Sequence, residues 1–406
     1  MRLMSSTKPS FSWGDRAALA VLTCCVFVVG TAEYVMVGLL PDLAADLRVP
    51  LPTAGSLVSW YALVVTVGGP VVTALTLRIP RRPLLLALLA VFVAANVLAA
   101  LASGFGMLLA ARVIVALTHS TSFAVTMVLA VGMVPEGRRG LAIAVVSAGW
   151  NLAAVLGAPL GTWIGQTQGW RATFWAIAAI GTLTLLAVAA VTSVPADETA
   201  GPSRSELGAL RDLRVLTVIG IMVLSQAGVF AVYTYITPLL GRVSGFGPAA
   251  VSVLLAVLGG AGLLGNVLGG RLTDRSPWAG LCAALAALAA VLAVFALIDG
   301  TRPGAVAGVL VLGVLMGTLI PLLQERAFAA APSAPTLITA VGASAVNLGI
   351  ASGSWLGGRA LAGGLSLAHL PWAGILPVLA GLGLTVHATV RGRRPGRDRR
   401  PVPASS

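Results

Sequence analysis

The chain has 406 residues, of which 58% are hydrophobic and only 10% are charged. Soluble domains carry about 25% charged residues, so this composition excludes a protein whose whole surface faces water. The net charge of +13 raises the question of nucleic-acid binding, but the basic residues lie between long apolar runs, where they act as an orientation signal for membrane helices.

Apolar runs recur along the whole chain, and about 20 such residues suffice to cross a bilayer as a helix. They predict an all-α integral membrane protein with twelve transmembrane helices. The short alternating segments of a β-barrel are absent from the sequence. The N-terminal segment has no small-residue cleavage site, so we expect an uncleaved first helix rather than a signal peptide. The predicted spans are 17–40, 54–77, 83–102, 106–131, 140–163, 172–193, 214–239, 249–271, 278–298, 304–323, 337–359 and 371–390.

The longest connection, from Pro195 to Arg214, divides the spans into two sets of six. We therefore predict an N-terminal six-helix half and a C-terminal six-helix half, joined by a cytoplasmic linker and followed by a basic cytoplasmic tail. The boundaries are 1–194 for the first half, 195–213 for the linker, 214–390 for the second half and 391–406 for the tail.

An internal repeat supports this division. The pattern Asn-Leu-x4-Gly-x3-Gly begins at Asn151 and again at Asn347, at an offset of 196 residues. Pro41 and Pro238, which we expect to end the first span of each half, are 197 residues apart. Two matches at nearly one offset indicate duplicated halves related by a pseudo-twofold axis along the membrane normal.

The arginines predict the orientation. Twenty of the 26 basic residues fall on the side of the chain termini, which we call the basic end, and four fall on the other side, the opposite end. Because positive residues concentrate on the cytoplasmic side, we expect a multi-pass protein of the inner membrane with both termini in the cytoplasm. The basic-end set is Arg2, Lys8, Arg16, Arg78, Arg81, Arg82, Arg138, Arg139, Arg204, Arg211, Arg214, Arg271, Arg275, Arg326 and six arginines from 391 to 400; the opposite-end set is Arg48, Arg171, Arg242 and Arg302.

Glu33 stands inside the first apolar run, in a segment from Gly30 to Pro41. A carboxylate at membrane depth is unfavourable unless it is paired, hydrated or protonated, and such residues mark functional sites. The predicted spans contain no second acidic residue. We therefore expect Glu33 to bind a proton during the protein's activity.

His119 is a second candidate. It lies seven residues after Arg112, which places both side chains on one face of the fourth span. Because free imidazole titrates near neutral pH, His119 is suited to relay protons. Ser122 and Thr126 continue this polar face, which suggests that it is hydrated. A structural His119, bonded to a neighbouring hydroxyl or a backbone carbonyl, is the alternative.

Several motifs resemble those of the major facilitator superfamily, over the whole chain. The sequence after the eighth span, Gly270 to Arg275 with Asp274, resembles the family's cytoplasmic gating motif. The loop after the second span keeps a basic cluster but has Thr73 and Leu77 where the motif has Gly and Asp. That basic cluster is Arg78, Arg81 and Arg82.

Further motifs resemble the drug:proton antiporter branch of that family. Arg112 resembles its buried arginine, and Gly157, Pro159 and Gly161 resemble its antiporter motif, although close packing of any two helices also favours such small-residue spacing. The order of Glu33, Leu40-Pro41-Asp42, Arg112, His119, Gly169-Trp170-Arg171 and Asn347-Leu348-Gly349 is similar to that in arabinose-efflux and chloramphenicol-resistance exporters.

The resemblance implies that spans one and four lie side by side. Glu33 and Arg112 are then at similar depths, about 10 and 9 Å from the ends of their spans at 1.5 Å per residue. We predict that they pair, and that a change in this contact between conformations changes the proton affinity of Glu33. The alternatives are a purely structural Glu33–Arg112 pair, or a Glu33 exposed in a vestibule.

A central cavity with apolar and aromatic walls and few polar groups suits a small amphipathic compound. The candidate cavity residues are Tyr34, Trp150, Asn151, Gln226, Phe230, Tyr233 and Asn347. The three cysteines show neither disulfide nor metal spacing, and no Walker A loop is present, so we expect no metal, no cofactor and no ATP-driven step.

Together these features predict a monomeric secondary transporter that exports a small molecule in exchange for protons and binds no nucleic acid. The first alternative is an importer or facilitator of a sugar, nucleoside or amino acid on the same fold. The second is a membrane-embedded enzyme or receptor. An enzyme needs clustered His, Asp or Glu at membrane depth, and one Glu with one His on different spans does not provide this.

Overall fold

A computed structural model describes residues 13–191, 212–332 and 334–392. Within these residues all twelve predicted spans are helices long and apolar enough to cross a membrane. Their bounds are α1 Arg16–Asp46, α2 Leu51–Leu75, α3 Arg81–Ala100, α4 Phe105–Gly132, α5 Arg139–Gln168, α6 Trp170–Val191, α7 Leu213–Arg242, α8 Pro248–Arg275, α9 Pro277–Ile298, α10 Arg302–Ala330, α11 Leu337–Ala362 and α12 Leu367–Val390.

Part of the predicted organisation lies outside the described residues. This applies to positions 195–211 of the linker, to 393–406 of the tail and to the N-terminal Arg2 and Lys8. Arg204 and Arg211 of the basic-end set also fall outside them. The described residues include all twelve spans, the sixth as far as Val191.

Several helices are longer than the apolar runs that predict them. The expectation that Pro41 and Pro238 end their spans is wrong: α1 continues to Asp46, and Pro238 lies inside a helical segment, Ile236–Arg242. Pro238 lies in the first turn of its segment, where a missing backbone N–H is tolerated. The longer helices also contain further acids, such as Glu325 in α10, but these lie near helix ends, whereas Glu33 is 13 residues from the nearer end of α1.

Two helices are locally irregular. A π-helical turn, Ala153–Gly157, interrupts α5, and α7 breaks after Tyr233 before resuming at Ile236. π-turns inside α-helices occur often at functional sites. Both irregularities lie in helices that border the centre of the bundle.

The sequence repeat is reproduced in the packing. A Cβ placed on Gly157 would collide with Thr31 of α1, and one on Gly353 would collide with Ala227 of α7. Thr31 and Ala227 are themselves 196 residues apart, the offset of the repeat. Gly161 with Val35, and Gly357 with Ala231, repeat the same relation. The fifth helix of each half therefore packs against the first through equivalent small residues, as the duplication predicts.

The two halves meet from mid-depth to the opposite end. Thr66 of α2 and Ser344 of α11 exchange hydrogen bonds at 3.4 Å near the middle. Nearer the opposite end, Ser252 of α8 donates to Gln166 of α5 at 3.0 Å. The fully buried ring of Tyr235 fills the space beside Gly55. This conformation is therefore closed at the opposite end.

Gly269 and Gly270 give a direct test of this packing. A Cβ on Gly269 would collide with the Thr318 carbonyl and Pro321 of α10, whereas one on Gly270 would meet nothing within 4 Å. Gly269→Ala should lower the free energy of unfolding by about 1–3 kcal/mol, and Gly270→Ala should change it by less than about 0.5 kcal/mol. Thermal unfolding of the purified variants in detergent measures both. Equal stability of the two variants would contradict the α8–α10 contact.

Candidate functional site

The Glu33 carboxylate lies in the interior of the bundle. Its side chain is only 12% exposed, and its Oε2 is buried without a hydrogen-bond partner among the described residues. At 1.5 Å per residue, the 13 residues that separate it from the end of α1 span about 20 Å. This distance is about twice the 10 Å from Glu33 to the end of its apolar run, because α1 extends beyond that run.

Arg112 of α4 lies beside Glu33 but does not pair with it directly. Its Nη1 donates to the carbonyl of Ala32 at 2.7 Å, and its guanidinium lies 4.2 Å from the centroid of the Tyr61 ring. The side chain is almost fully buried at 1% exposure. The predicted direct Glu33–Arg112 pair is therefore absent from this conformation, because a backbone carbonyl and an aromatic face take up the guanidinium instead.

His119 provides the closest ionisable contact of Glu33. Its Nδ1 lies 4.0 Å from Oε2 of Glu33 and 2.9 Å from the hydroxyl of Tyr61. The same nitrogen therefore faces a carboxylate and a phenol. Arg112 and His119 share one face of α4, as their seven-residue spacing predicts, and the Tyr61 side chain contacts both of them.

Aromatic side chains surround these groups. Trp150 of α5 donates from Nε1 to the hydroxyl of Tyr34 at 2.7 Å. The Trp150 ring is 5.2 Å from the His119 ring and 5.8 Å from the Phe123 ring, both in edge-to-face geometry. The network thus joins α1, α2, α4 and α5, all from the first half.

A small cavity lies where this network meets the second half. Glu33 and Arg112 line it together with aromatic and aliphatic side chains from both halves. A compound bound in the cavity would therefore contact both halves. The lining consists of Glu33, Tyr34, Val37, Val58, Tyr61, Ala62, Arg112, Phe230, Tyr233 and Ile350.

Of the predicted cavity residues, Tyr34, Phe230 and Tyr233 line this cavity, and the other four do not. Trp150 lies behind Tyr34. Gln226 packs against Gly349, and the Asn347 amide donates to the Ala343 carbonyl within its own helix. Asn151 is partly buried in α5, at the end of the regular helix that precedes the π-turn.

Tyr61 is the main residue that the sequence reasoning missed. Its sequence signal was available: the chain has only four tyrosines, at 34, 61, 233 and 235, and all fall inside apolar runs. Tyrosines in membrane proteins usually concentrate at the membrane interface. In this structure three of the four line the cavity, and Tyr235 packs where the halves close.

The predicted gating and packing motifs lie away from the cavity. Gly157, Pro159 and Gly161 are buried in α5, and Gly157 and Gly161 face α1. Arg82 donates to the Ala189 carbonyl of α6 at 2.6 Å. Arg78, Asp274 and Arg275 are exposed at the basic end, Arg81 begins α3 there, and Gly270 has open space where a side chain would point.

Tyr61 should stabilise the site through two separable contacts. Tyr61→Phe removes the hydroxyl that contacts His119 and should cost about 1 kcal/mol of unfolding free energy. Tyr61→Ala also removes the ring that covers Arg112 and should cost about 3–5 kcal/mol. Thermal unfolding of both variants in the same detergent measures the difference. A Tyr61→Ala variant as stable as Tyr61→Phe would show that the ring contact with Arg112 contributes nothing.

Comparison with known proteins identifies relatives over nearly the full length. The model of the Major Facilitator Superfamily matches residues 22–354. The MFS-type transporter YtbD of Bacillus subtilis (strain 168) is 38% identical over 375 residues, which cover 91% of this chain and 94% of that protein. The inner membrane transport protein YdhP of Escherichia coli (strain K12) is 34% identical, with coverage of 90% and 94%. A chloramphenicol resistance protein of Streptomyces lividans is 35% identical, with coverage of 82% and 86%.

Two solved structures share the fold. A D-xylose–proton symporter has a TM-score of 0.70 at 17% identity, with 91% of this chain and 97% of that chain covered. A bacterial homologue of the human lysosomal transporter Spinster, in an inward-facing and unoccupied conformation, has a TM-score of 0.68 at 18% identity, with coverage of 95% and 96%. At these identities the similarity concerns the fold alone.

Proposed function

Because the chain belongs to the Major Facilitator Superfamily of membrane transporters, we propose that it exports a small molecule across the inner membrane in exchange for protons. The observation that carries this proposal is the Glu33 carboxylate. Its side chain is 12% exposed, its Oε2 has no hydrogen-bond partner among the described residues, and it lines the cavity between the halves. A carboxylate in this position requires a proton, water or a cationic partner.

The neighbours of Glu33 supply a means of coupling. Arg112 is held by the Ala32 carbonyl and the Tyr61 ring rather than by Glu33. A conformational change that moved the guanidinium onto the carboxylate would favour proton release, and the reverse movement would favour proton binding. Substrate in the cavity contacts Glu33 and Arg112, so substrate binding and proton binding influence each other. Glu33 and Arg112 are thus the coupling pair, and His119 transfers protons to and from Glu33.

The direction of transport rests on relatives and on orientation. The Streptomyces lividans relative is named a chloramphenicol resistance protein, which favours export. The basic end carries Arg16, Arg78 and Arg275 and is therefore assigned to the cytoplasm. The halves meet at the opposite end, so this conformation faces inward.

Both termini are then cytoplasmic, and a single chain contains a complete cavity, so the monomer is the functional unit.

The cavity favours a small amphipathic compound. Its wall, with three tyrosines and one phenylalanine, offers apolar contact to a ring or chain. The tyrosine hydroxyls, Glu33 and Arg112 provide a few polar contacts that can orient it. Chloramphenicol has this character and is the first compound to test.

Glu33→Gln should abolish export driven by a pH gradient while leaving compound binding intact, because glutamine cannot exchange a proton. Everted membrane vesicles from an efflux-deficient host that expresses the chain provide the assay, with radiolabelled chloramphenicol and a panel of amphipathic antibiotics. We expect uptake into acid-inside vesicles by the wild type, and none above background by Glu33→Gln.

Glu325→Gln is the matched control. It removes a carboxylate from α10 that pairs with Arg326 near the basic end, far from the cavity. This variant should transport like the wild type. Undiminished gradient-driven uptake by Glu33→Gln would refute the role of Glu33. Compound accumulation in intact cells, in place of resistance, would refute export.

A further inference from the structure

Two hydroxyls of α4 extend from His119 toward the basic end. Ser122 and Thr126 are only 2% and 1% exposed. The oxygen of each is buried without a hydrogen-bond partner among the described residues. Both lie on the face of α4 that carries Arg112 and His119, three and seven residues beyond His119.

Unbonded hydroxyls are unusual in this bundle. Buried Ser and Thr side chains in helices commonly donate to the carbonyl one turn earlier, and Thr31, Thr162 and Thr184 do so here at 2.7–2.8 Å. Ser122 and Thr126 do not use this partner. A buried polar atom without a partner is destabilising, and ordered water is the usual means of satisfying it.

The spacing of the two hydroxyls fits a chain of water molecules. At 1.5 Å per residue, Ser122 is about 4.5 Å and Thr126 about 10.5 Å along the axis from His119. Thr126 is six residues, or about 9 Å, from the end of α4 at Gly132. The two hydroxyls therefore divide the distance between the site and the basic end into steps that one or two waters can bridge.

Aromatic rings pack against His119 on another side. Trp150 contacts both His119 and Phe123, and Phe123 is one helical turn nearer the basic end than His119. Among the described residues, the buried side chains of α4 without a hydrogen-bond partner that continue from His119 toward the basic end are those of Ser122 and Thr126.

We propose that Ser122 and Thr126 hold water molecules that carry protons between His119 and the basic end. This inference rests on the proposed proton coupling and adds the route by which the site communicates with the cytoplasm. Each hydroxyl accepts a proton from one neighbour as it donates its own to the next. Neither residue changes its net charge, and one proton passes from the imidazolium to bulk water.

Trp150 provides a probe that needs no transported compound. Protonation of an adjacent imidazole quenches indole fluorescence, so a rapid step to acid pH should lower the emission of the purified protein as protons reach His119. Loss of this phase in His119→Gln assigns it. We expect Ser122→Ala and Thr126→Val to slow the phase about tenfold or more, since each removes a hydrogen bond from a buried water.

Two further variants make the test specific. Thr118→Val removes a buried hydroxyl of the same helix that already donates to the Val115 carbonyl at 2.8 Å, and it should leave the rate unchanged. Thr126→Ser restores a hydroxyl and should recover most of the wild-type rate, which distinguishes a water site from a packing role.

Two outcomes would contradict the proposed route. Equal rates in the wild type, Ser122→Ala and Thr126→Val, or the absence of any His119-dependent phase, would overturn the path along α4. Neither result would affect the vesicle assay of Glu33→Gln, so failure of the route and failure of proton-coupled export are distinguishable.

Discussion

The structure depends on how a single carboxylate is accommodated in an apolar bundle. An ionised carboxylate without a partner is unfavourable in such an environment, yet Oε2 of Glu33 has no hydrogen-bond partner among the described residues. Its neighbours are a guanidinium that is bound elsewhere and an imidazole nitrogen 4.0 Å away. In the proposed mechanism, the charge of Glu33 depends on the positions of Arg112 and the proton.

The two halves share packing but not chemistry. Gly157 with Thr31 and Gly353 with Ala227 are equivalent contacts at the repeat offset of 196 residues. The same offset takes Glu33 to Val229, a buried aliphatic residue. The duplicated scaffold thus brings two bundles together, while the charged residues that line the cavity, Glu33 and Arg112, belong to the first half. The second half contributes Phe230, Tyr233 and Ile350 to the cavity wall, so it presents an apolar surface to the compound.

The twelve spans and the family were predictable because membrane helices need long apolar runs and the repeat fixes their pairing. Glu33, Arg112 and His119 were also predictable as candidates, since ionisable residues are rare inside such runs, and the structure brings them together. Their exact partners were not. Arg112 contacts the Ala32 carbonyl and the Tyr61 ring. These contacts are set by packing between helices, which sequence spacing does not encode. Asn347 and Gln226 do not line the cavity in this conformation, and their predicted role in contacting a compound stays a prediction.

The central claim is that Glu33 exchanges a proton in the interior of the protein. Infrared difference spectroscopy of the purified protein in lipid, recorded across a pH titration, measures the carbonyl band of a protonated carboxylic acid directly. We predict a pH-dependent band in the wild type and in Glu325→Gln that disappears in Glu33→Gln. A band that persists unchanged in Glu33→Gln would show that another group binds the proton and would contradict the account.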